Sequence, residues 1–163
     1  PSSSMEPTLE INDKVLVLKD ALTPVDIRSG DIVVFYSPES LYTEDFLEEY
    51  YQALQVWNFY TNDSILDTAI IKRVVGVGGD TVNIEKDGKV FVNGEQFTVL
   101  NIDESSYFQQ QTYTVPENEF FVLGDNRINS QDSRYIGTIP SINVIGKASH
   151  VIFPFENYKK LND

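Results

Sequence analysis

The sequence predicts a mainly β protein: a core of apolar strands, a meander of shorter strands, and one inserted amphipathic helix. Three observations predict it. Runs of β-formers recur at residues 13–19, 31–36, 69–76, 119–123 and 146–153. The pairs Asp87-Gly88 and Asn93-Gly94 punctuate short strand-like runs after Thr81, as tight turns do. Between residues 37 and 69 the period changes from two to that of a helix. At 163 residues, with 41% apolar and 12% aromatic content, the chain is long enough for one packed core with a small appendage.

Each element follows from its residues. Asp13-Lys-Val-Leu-Val-Leu-Lys19 reads as a strand with charged ends, and Pro24 to Gly30 as a connecting loop. Asp31-Ile-Val-Val-Phe-Tyr36 is apolar enough to be buried on both faces. Thr43-Glu-Asp supplies a cap and two acids for a helix start, and Phe46, Tyr50, Leu54, Trp57 and Tyr60 follow at helical spacing. Asn62-Asp-Ser ends this helix of about four turns. Ala69-Ile-Ile-Lys-Arg-Val-Val-Gly76 is the next strand, and residues 82–116 form the meander, with Asn101 to Gln111 a polar loop. Glu119-Phe-Phe-Val-Leu123 is a buried strand that delivers Gly124-Asp125-Asn126 to a turn. Gly146 to Phe153 is the final strand, and a polar tail begins at Tyr158.

Composition excludes some functions. With 12 basic and 25 acidic residues, net charge −13, the chain lacks the clustered cations that phosphate contacts need, which argues against nucleic acid and against adhesion to anionic lipid. No run approaches the ~20 apolar residues of a membrane span. Without cysteine there is no thiol nucleophile, disulfide or sulfur-ligated zinc. The single histidine, His150, lies in a late strand and reads as a packed structural residue.

What remains is serine and lysine. Ser2-Ser3-Ser4 ahead of Met5 and Pro7 reads by itself as a flexible chain end. The strand at residues 69–76 changes that reading, because Lys72 and Arg73 interrupt it and fall on opposite faces. One cation must therefore sit among apolar neighbours. A lysine so placed loses its preference for the charged form, so its pKa falls from about 10.4 towards neutrality and it can serve as a general base. A serine hydroxyl needs such a base, which need not be histidine.

Four segments carry a resemblance. Pro1-Ser-Ser-Ser-Met-Glu-Pro-Thr-Leu9, Gly30-Asp-Ile-Val-Val-Phe35, Ile71-Lys-Arg-Val-Val-Gly-Val-Gly-Gly-Asp80 and Gly124-Asp-Asn-Arg-Ile-Asn-Ser-Gln-Asp-Ser-Arg134 resemble, in order, the sequence boxes of type I signal peptidases. The likeness is greatest to the compact, Gram-positive-like bacterial forms. It implies a signal-peptidase-like catalytic β core at 1–81 and 117–163 with a small β cap at 82–116; the helical insertion at 37–69 stands where the compact relatives have a short connection, and we expect it to act as a lid or client-recognition element. It also implies a membrane anchor just ahead of Pro1, single-pass, with the catalytic domain on the extracytoplasmic side of the cell membrane.

Residue by residue, Ser4 matches the nucleophile and Lys72 the base. Ser2 matches a serine whose hydroxyl, with the Ser4 backbone N–H, binds the oxyanion, and Ser130 matches the hydroxyl that holds the lysine amine in line. Met5, Leu9, Val15, Val34 and Ile71 match the walls of shallow pockets for small residues. Asp125 and Asp132, beside Arg73, Arg127 and Arg134, read as a structural ion-pair network in preference to carboxylate or metal chemistry, and the family pattern pairs Asp125 with Arg73 and Asp132 with Arg134. Where most relatives have proline this chain has Gly78, so a looser turn is expected after the lysine strand.

The implied activity is a serine endopeptidase that removes signal peptides from secreted or surface preproteins after small residues, in an Ala-x-Ala-like context, with no metal or organic cofactor. A second reading is a non-proteolytic or client-specific factor for assembly of pili or surface proteins; such relatives lose the serine or the lysine, and both are present here. A third, a self-cleaving repressor domain, requires an Ala-Gly or Cys-Gly bond, and neither dipeptide occurs.

Overall fold

The computed structural model describes residues 2–19, 27–37, 69–102 and 109–161. Its strands, in chain order, are β1 (Lys14–Leu18), β2 (Ile32–Tyr36), β3 (Ala69–Val77), β4 (Thr81–Ile84), β5 (Val90–Val92), β6 (Glu95–Phe97), β7 (Gln111–Thr114), β8 (Glu119–Leu123), β9 (Ile139–Pro140), β10 (Val144–Phe153) and β11 (Lys159–Lys160); one short helix, α1, spans Ser133–Ile136. Seven strands form a sheet ordered β1-β10-β2-β3-β8-β9, with β11 also on β10, and four form a second sheet ordered β6-β5-β4-β7. All the pairings are antiparallel. The fold is mainly β, as the patterning predicts. The expected helix at 43–60 lies outside the described residues.

The two central strands of the larger sheet position the site. β2 and β3 pair in unbroken register from Ile32 opposite Arg73 to Tyr36 opposite Ala69. Alternation then divides their side chains between two clusters. Val33, Phe35, Val74, Val122 and Ile139 form one, with Ile70 packed against it. Ile32, Met5, Leu9, Ala148 and Val151 form the other, with Val15, Ile71 and Leu161 at its margin. Burying a side chain such as Phe35, fully inaccessible here, stabilises the fold by about 2–3 kcal/mol. Truncating it to alanine would cost about 3–5 kcal/mol through the cavity left behind.

A third cluster ties the sheets together: Val75, Phe121 and Leu123 of the larger sheet pack on Val82, Ile84, Val90 and Val115. The crossing point is the turn from β3 to β4. Asp80 N donates to Val77 O at 3.0 Å, Val77 N donates to Asp80 Oδ2 at 2.8 Å, and Gly79 takes φ +89°. This turn is not loose. A Cβ on Gly78 would come within 3.1 Å of Asn118 N and Glu117 Cα, so the backbone of residues 116–118 supports it from behind. In the smaller sheet Asn93 and Gly94, at φ +52° and +86°, make the two-residue hairpin between Val92 and Glu95.

Two boundaries differ from expectation. Gln111, read as the end of a polar loop, opens β7 opposite Ile84. Lys159 and Lys160, read as tail, pair with Val151 and His150 as β11, because Leu161 packs on the Met5 cluster and draws the chain back to the sheet. His150 is structural as read: its ring stacks on Tyr158 with centroids 6.0 Å apart.

Candidate active site

The serine segment is a 3-10 turn, Ser3–Met5, capped by Ser2, whose hydroxyl oxygen accepts from Ser4 N at 3.2 Å. So short a helix does not hold itself. Downstream it is anchored by Met5 and Leu9, 1% and 5% exposed, and by the bond from Leu9 N to Met5 O at 2.8 Å. Upstream it is held by the segment after β8: Asn126 N donates to Ser4 O at 3.0 Å, Asn126 Nδ2 to Ser3 O at 3.2 Å, and Asn129 Nδ2 to Ser3 Oγ at 2.7 Å. These contacts hold the serine turn as a fixed loop.

β3 supplies the cation. Lys72 stands opposite Val33 in the ladder, and its same-face neighbours Ile70 and Val74 belong to the cluster around Val33 and Phe35. Its Nζ donates to Ser4 Oγ at 2.7 Å and to the Ile71 carbonyl at 3.0 Å. Lys72 and Ser4 are each 4% exposed. Burial pushes the Lys72 ammonium down from the ordinary lysine range, and the negative charges of Asp132 and Asp125 partly oppose that shift.

Both cations of β3 are buried, where the sequence required only one to be. Arg73, 7% exposed, makes a bidentate pair with Asp125, Nε to Oδ1 at 2.8 Å and Nη2 to Oδ2 at 2.7 Å, and Nη1 donates to Gly30 O at 2.7 Å. A planar guanidinium can be buried in this way because every edge meets an acceptor.

The second pair, Asp132–Arg134, does more than balance charge. Beyond the short β9 pairing the outer edge of β8 has no partner strand among the described residues, and its buried amides need acceptors. Ser133 Oγ accepts from Val122 N and Asp132 Oδ2 from Gly124 N, both at 2.9 Å. Asp132 also caps α1 and takes Arg134 Nε at 2.7 Å. No group of three or more His, Cys, Asp or Glu arranged to hold a metal occurs among the described residues.

Three groups of the expected site residues are placed as follows. The Ser130 hydroxyl is buried and meets no hydrogen-bond partner among the described residues, and the Lys72 amine donates to Ser4 Oγ and the Ile71 carbonyl. Ser2 Oγ and the Ser4 N–H, the two expected oxyanion donors, bond to each other here, so the N–H is turned to the serine oxygen. Met5 and Leu9 are fully interior, which leaves Val15, Val34 and Ile71, all half-buried, as the accessible members of the expected pocket wall. Val34 and Ile71 are direct partners across β2 and β3 and so present one face together.

Patterning missed the roles of Asn126, Asn129 and Ser133, although all three lie in the quoted 124–134 segment. It also missed the pair of Lys147 Nζ with Asp31 Oδ1 at 2.7 Å, which joins β10 to the start of β2. No periodicity marks a residue that acts by binding a backbone group far away in sequence.

The family model described as signal peptidase, peptidase S26, matches residues 1–153. The chain belongs to this signal peptidase family. Within it, the chain is 35% identical over 163 residues, all of its length, to the probable signal peptidase I-2 of Synechocystis sp., and covers 65% of that protein. It is 37% identical over 161 residues, 99% of its length, to the signal peptidase I of Leptolyngbya laminosa, of which it covers 70%. It thus spans about two thirds of these curated signal peptidases. A solved signal peptidase I structure from Enterococcus faecalis matches 76% of this chain and 97% of its own, with TM-score 0.52 and 26% identity. No helix among the described residues is long and apolar enough to cross a membrane.

Proposed function

We propose that the protein is a membrane-associated serine endopeptidase that removes signal peptides from exported preproteins, with Ser4 as nucleophile and Lys72 as general base. The observation that carries the reading is the 2.7 Å contact between Lys72 Nζ and Ser4 Oγ in a buried setting that depresses the lysine pKa. A neutral amine at that distance accepts the hydroxyl proton as Ser4 Oγ attacks the scissile carbonyl. Lys72 then returns the proton to the leaving amine, and in the second half-reaction takes one from the water that cleaves the acyl-serine.

The developing oxyanion needs donors aimed at it. In this reading the Ser4 N–H and the Ser2 hydroxyl supply them once Ser2 rotates away from their mutual bond. Val15, Val34 and Ile71 flank the extended client and favour small side chains, consistent with an Ala-x-Ala-like context. The 82–116 segment is the cap on a catalytic core. The catalytic domain lies on the extracytoplasmic side, beside the membrane that carries its clients.

The test is processing of a purified preprotein, with the new N-terminus sequenced. The reading expects one cut after the Ala-x-Ala-like site by the wild type and none by Ser4→Ala or Lys72→Ala. Binding of the preprotein by a folded wild type without any cut would favour the assembly-factor reading instead.

A further inference from the structure

We infer that Asn129, through Ser3, is a positioning residue that sets the approach of the Ser4 hydroxyl to Lys72. This rests on the reading of Ser4 and Lys72 as the reacting pair. The two partners are built differently. Lys72 rides on a strand paired on both sides. Ser4 rides on a 3-10 turn outside the sheets whose backbone closure is one bond, Glu6 N to Ser3 O at 3.1 Å. Anything that moves this turn by a few tenths of an ångström changes the 2.7 Å contact, whereas β3 stays where its neighbours hold it.

Met5 and Leu9 pin only the downstream side of the turn. The upstream side, where Ser3 sits, depends on the loop after β8. That loop is rigid for reasons of its own. Asn129 N donates to Asn126 O at 3.1 Å and lies 3.3 Å from Asn126 Oδ1. Arg127 Nε donates to Gly124 O at 3.1 Å, and Arg127 O accepts from Arg134 Nη2 at 2.7 Å. Asn129 Nδ2 extends from this frame to Ser3 Oγ at 2.7 Å, a contact between residues 126 apart in the chain. The Ser3 oxygen is a side-chain acceptor that glycine or alanine would not offer. Asn129 is exposed, so replacing it removes this side-chain contact to Ser3 while the backbone of the turn keeps its bonds from Asn126 to Ser3 O and Ser4 O.

The consequence is specific. A looser turn lowers the fraction of molecules with Oγ in line with Nζ, which slows the chemical step. Strand faces that hold the client are untouched, so KM stays constant. The experiment is steady-state cleavage of a fluorogenic peptide spanning an Ala-x-Ala junction by the wild type, Ser3→Ala, Asn129→Leu, the double variant and Asn129→Asp.

We expect kcat about 5- to 10-fold lower in each single variant, the size of one hydrogen bond, with KM unchanged and the double variant no slower than either single. Asn129→Asp should recover most of the rate, because a carboxylate of the same shape accepts from the Ser3 hydroxyl. Wild-type kcat in Ser3→Ala and Asn129→Leu, a loss carried by KM alone, or losses that multiply in the double variant would each overturn the inference. Ser4→Ala in the same assay separates the two claims: if it still cleaves, the dyad reading fails; if it is inactive while Asn129→Leu is at full rate, only the tether does. Should Asn129→Leu not fold, Ser3→Ala and Asn129→Asp decide alone.

Discussion

Gly124 touches Ser130 so closely that a Cβ added to it would lie 2.2 Å from the Ser130 hydroxyl oxygen and 2.6 Å from the Ser4 carbonyl oxygen. The Ser4 carbonyl cannot retreat. Ser4 O is held by Asn126 N, and Gly124 itself by Asp132 Oδ2. Gly124→Ala must therefore displace the serine turn. The expected result is a loss of peptide cleavage of about 100-fold or more with the β-sheet circular dichroism spectrum retained. Activity near wild type would mean that the turn has room the geometry denies.

The Arg73–Asp125 pair predicts an asymmetric response. Arg73→Met or Asp125→Leu alone strands a buried charge and should cost about 3–5 kcal/mol, read as a lower midpoint in urea denaturation. The double variant replaces both charges by apolar groups and should recover much of that loss. If the double variant were destabilised by the sum of the singles, the two side chains would be uncoupled and a stranded charge would not be the cause of the loss.

The lysine also leaves a mark on stability. Its folded pKa is lowered by burial, so between that value and the unfolded value of about 10.4 the unfolded chain binds more protons than the native one. Over that window the free energy of unfolding rises with pH, and below it the native state carries the full cost of the buried charge. Lys72→Met should therefore gain stability relative to wild type as pH falls through that window, and the difference should become constant as pH approaches the unfolded value. A pH-independent difference would contradict a depressed Lys72.

Asp125 tests the electrostatics from the other side. Its charge, with that of Asp132, raises the Lys72 pKa against burial. In Asp125→Asn that support is gone and the Arg73 cation faces no carboxylate. The acid limb of the pH–rate profile should move to lower pH than in wild type. A shift to higher pH would reverse the assigned sign.

Much of this was legible because the sheet is regular. β2 and β3 are runs of β-formers buried on both faces, and a lysine inside such a run signals its own desolvation through its sequence neighbours alone. The glycine pairs fixed the hairpins for the same local reason. The rest depended on distance in the chain. Asn129 meets Ser3, and Ser133 and Asp132 satisfy the edge of β8; such contacts follow from how the chain returns on itself, which carries no local period. Met5 and Leu9 were placed in a pocket wall by resemblance and lie in the core, since motif likeness assigns position along the chain but not depth. Ser130 was matched to the amine by position alone, which does not fix where its hydroxyl points. Lys159 looked like tail because two lysines give no sign that the next residue, Leu161, is buried against Met5.

The dyad is tested most directly by the pH dependence of kcat/KM for junction-peptide cleavage from about pH 6 to 10, the span that brackets a depressed lysine, in wild type and Lys72→Ala. The account predicts a wild-type rate that rises through a single ionisation well below the range of free lysine, and its disappearance together with the activity in Lys72→Ala. A Lys72→Ala variant that cleaves with the wild-type rate and profile would contradict it.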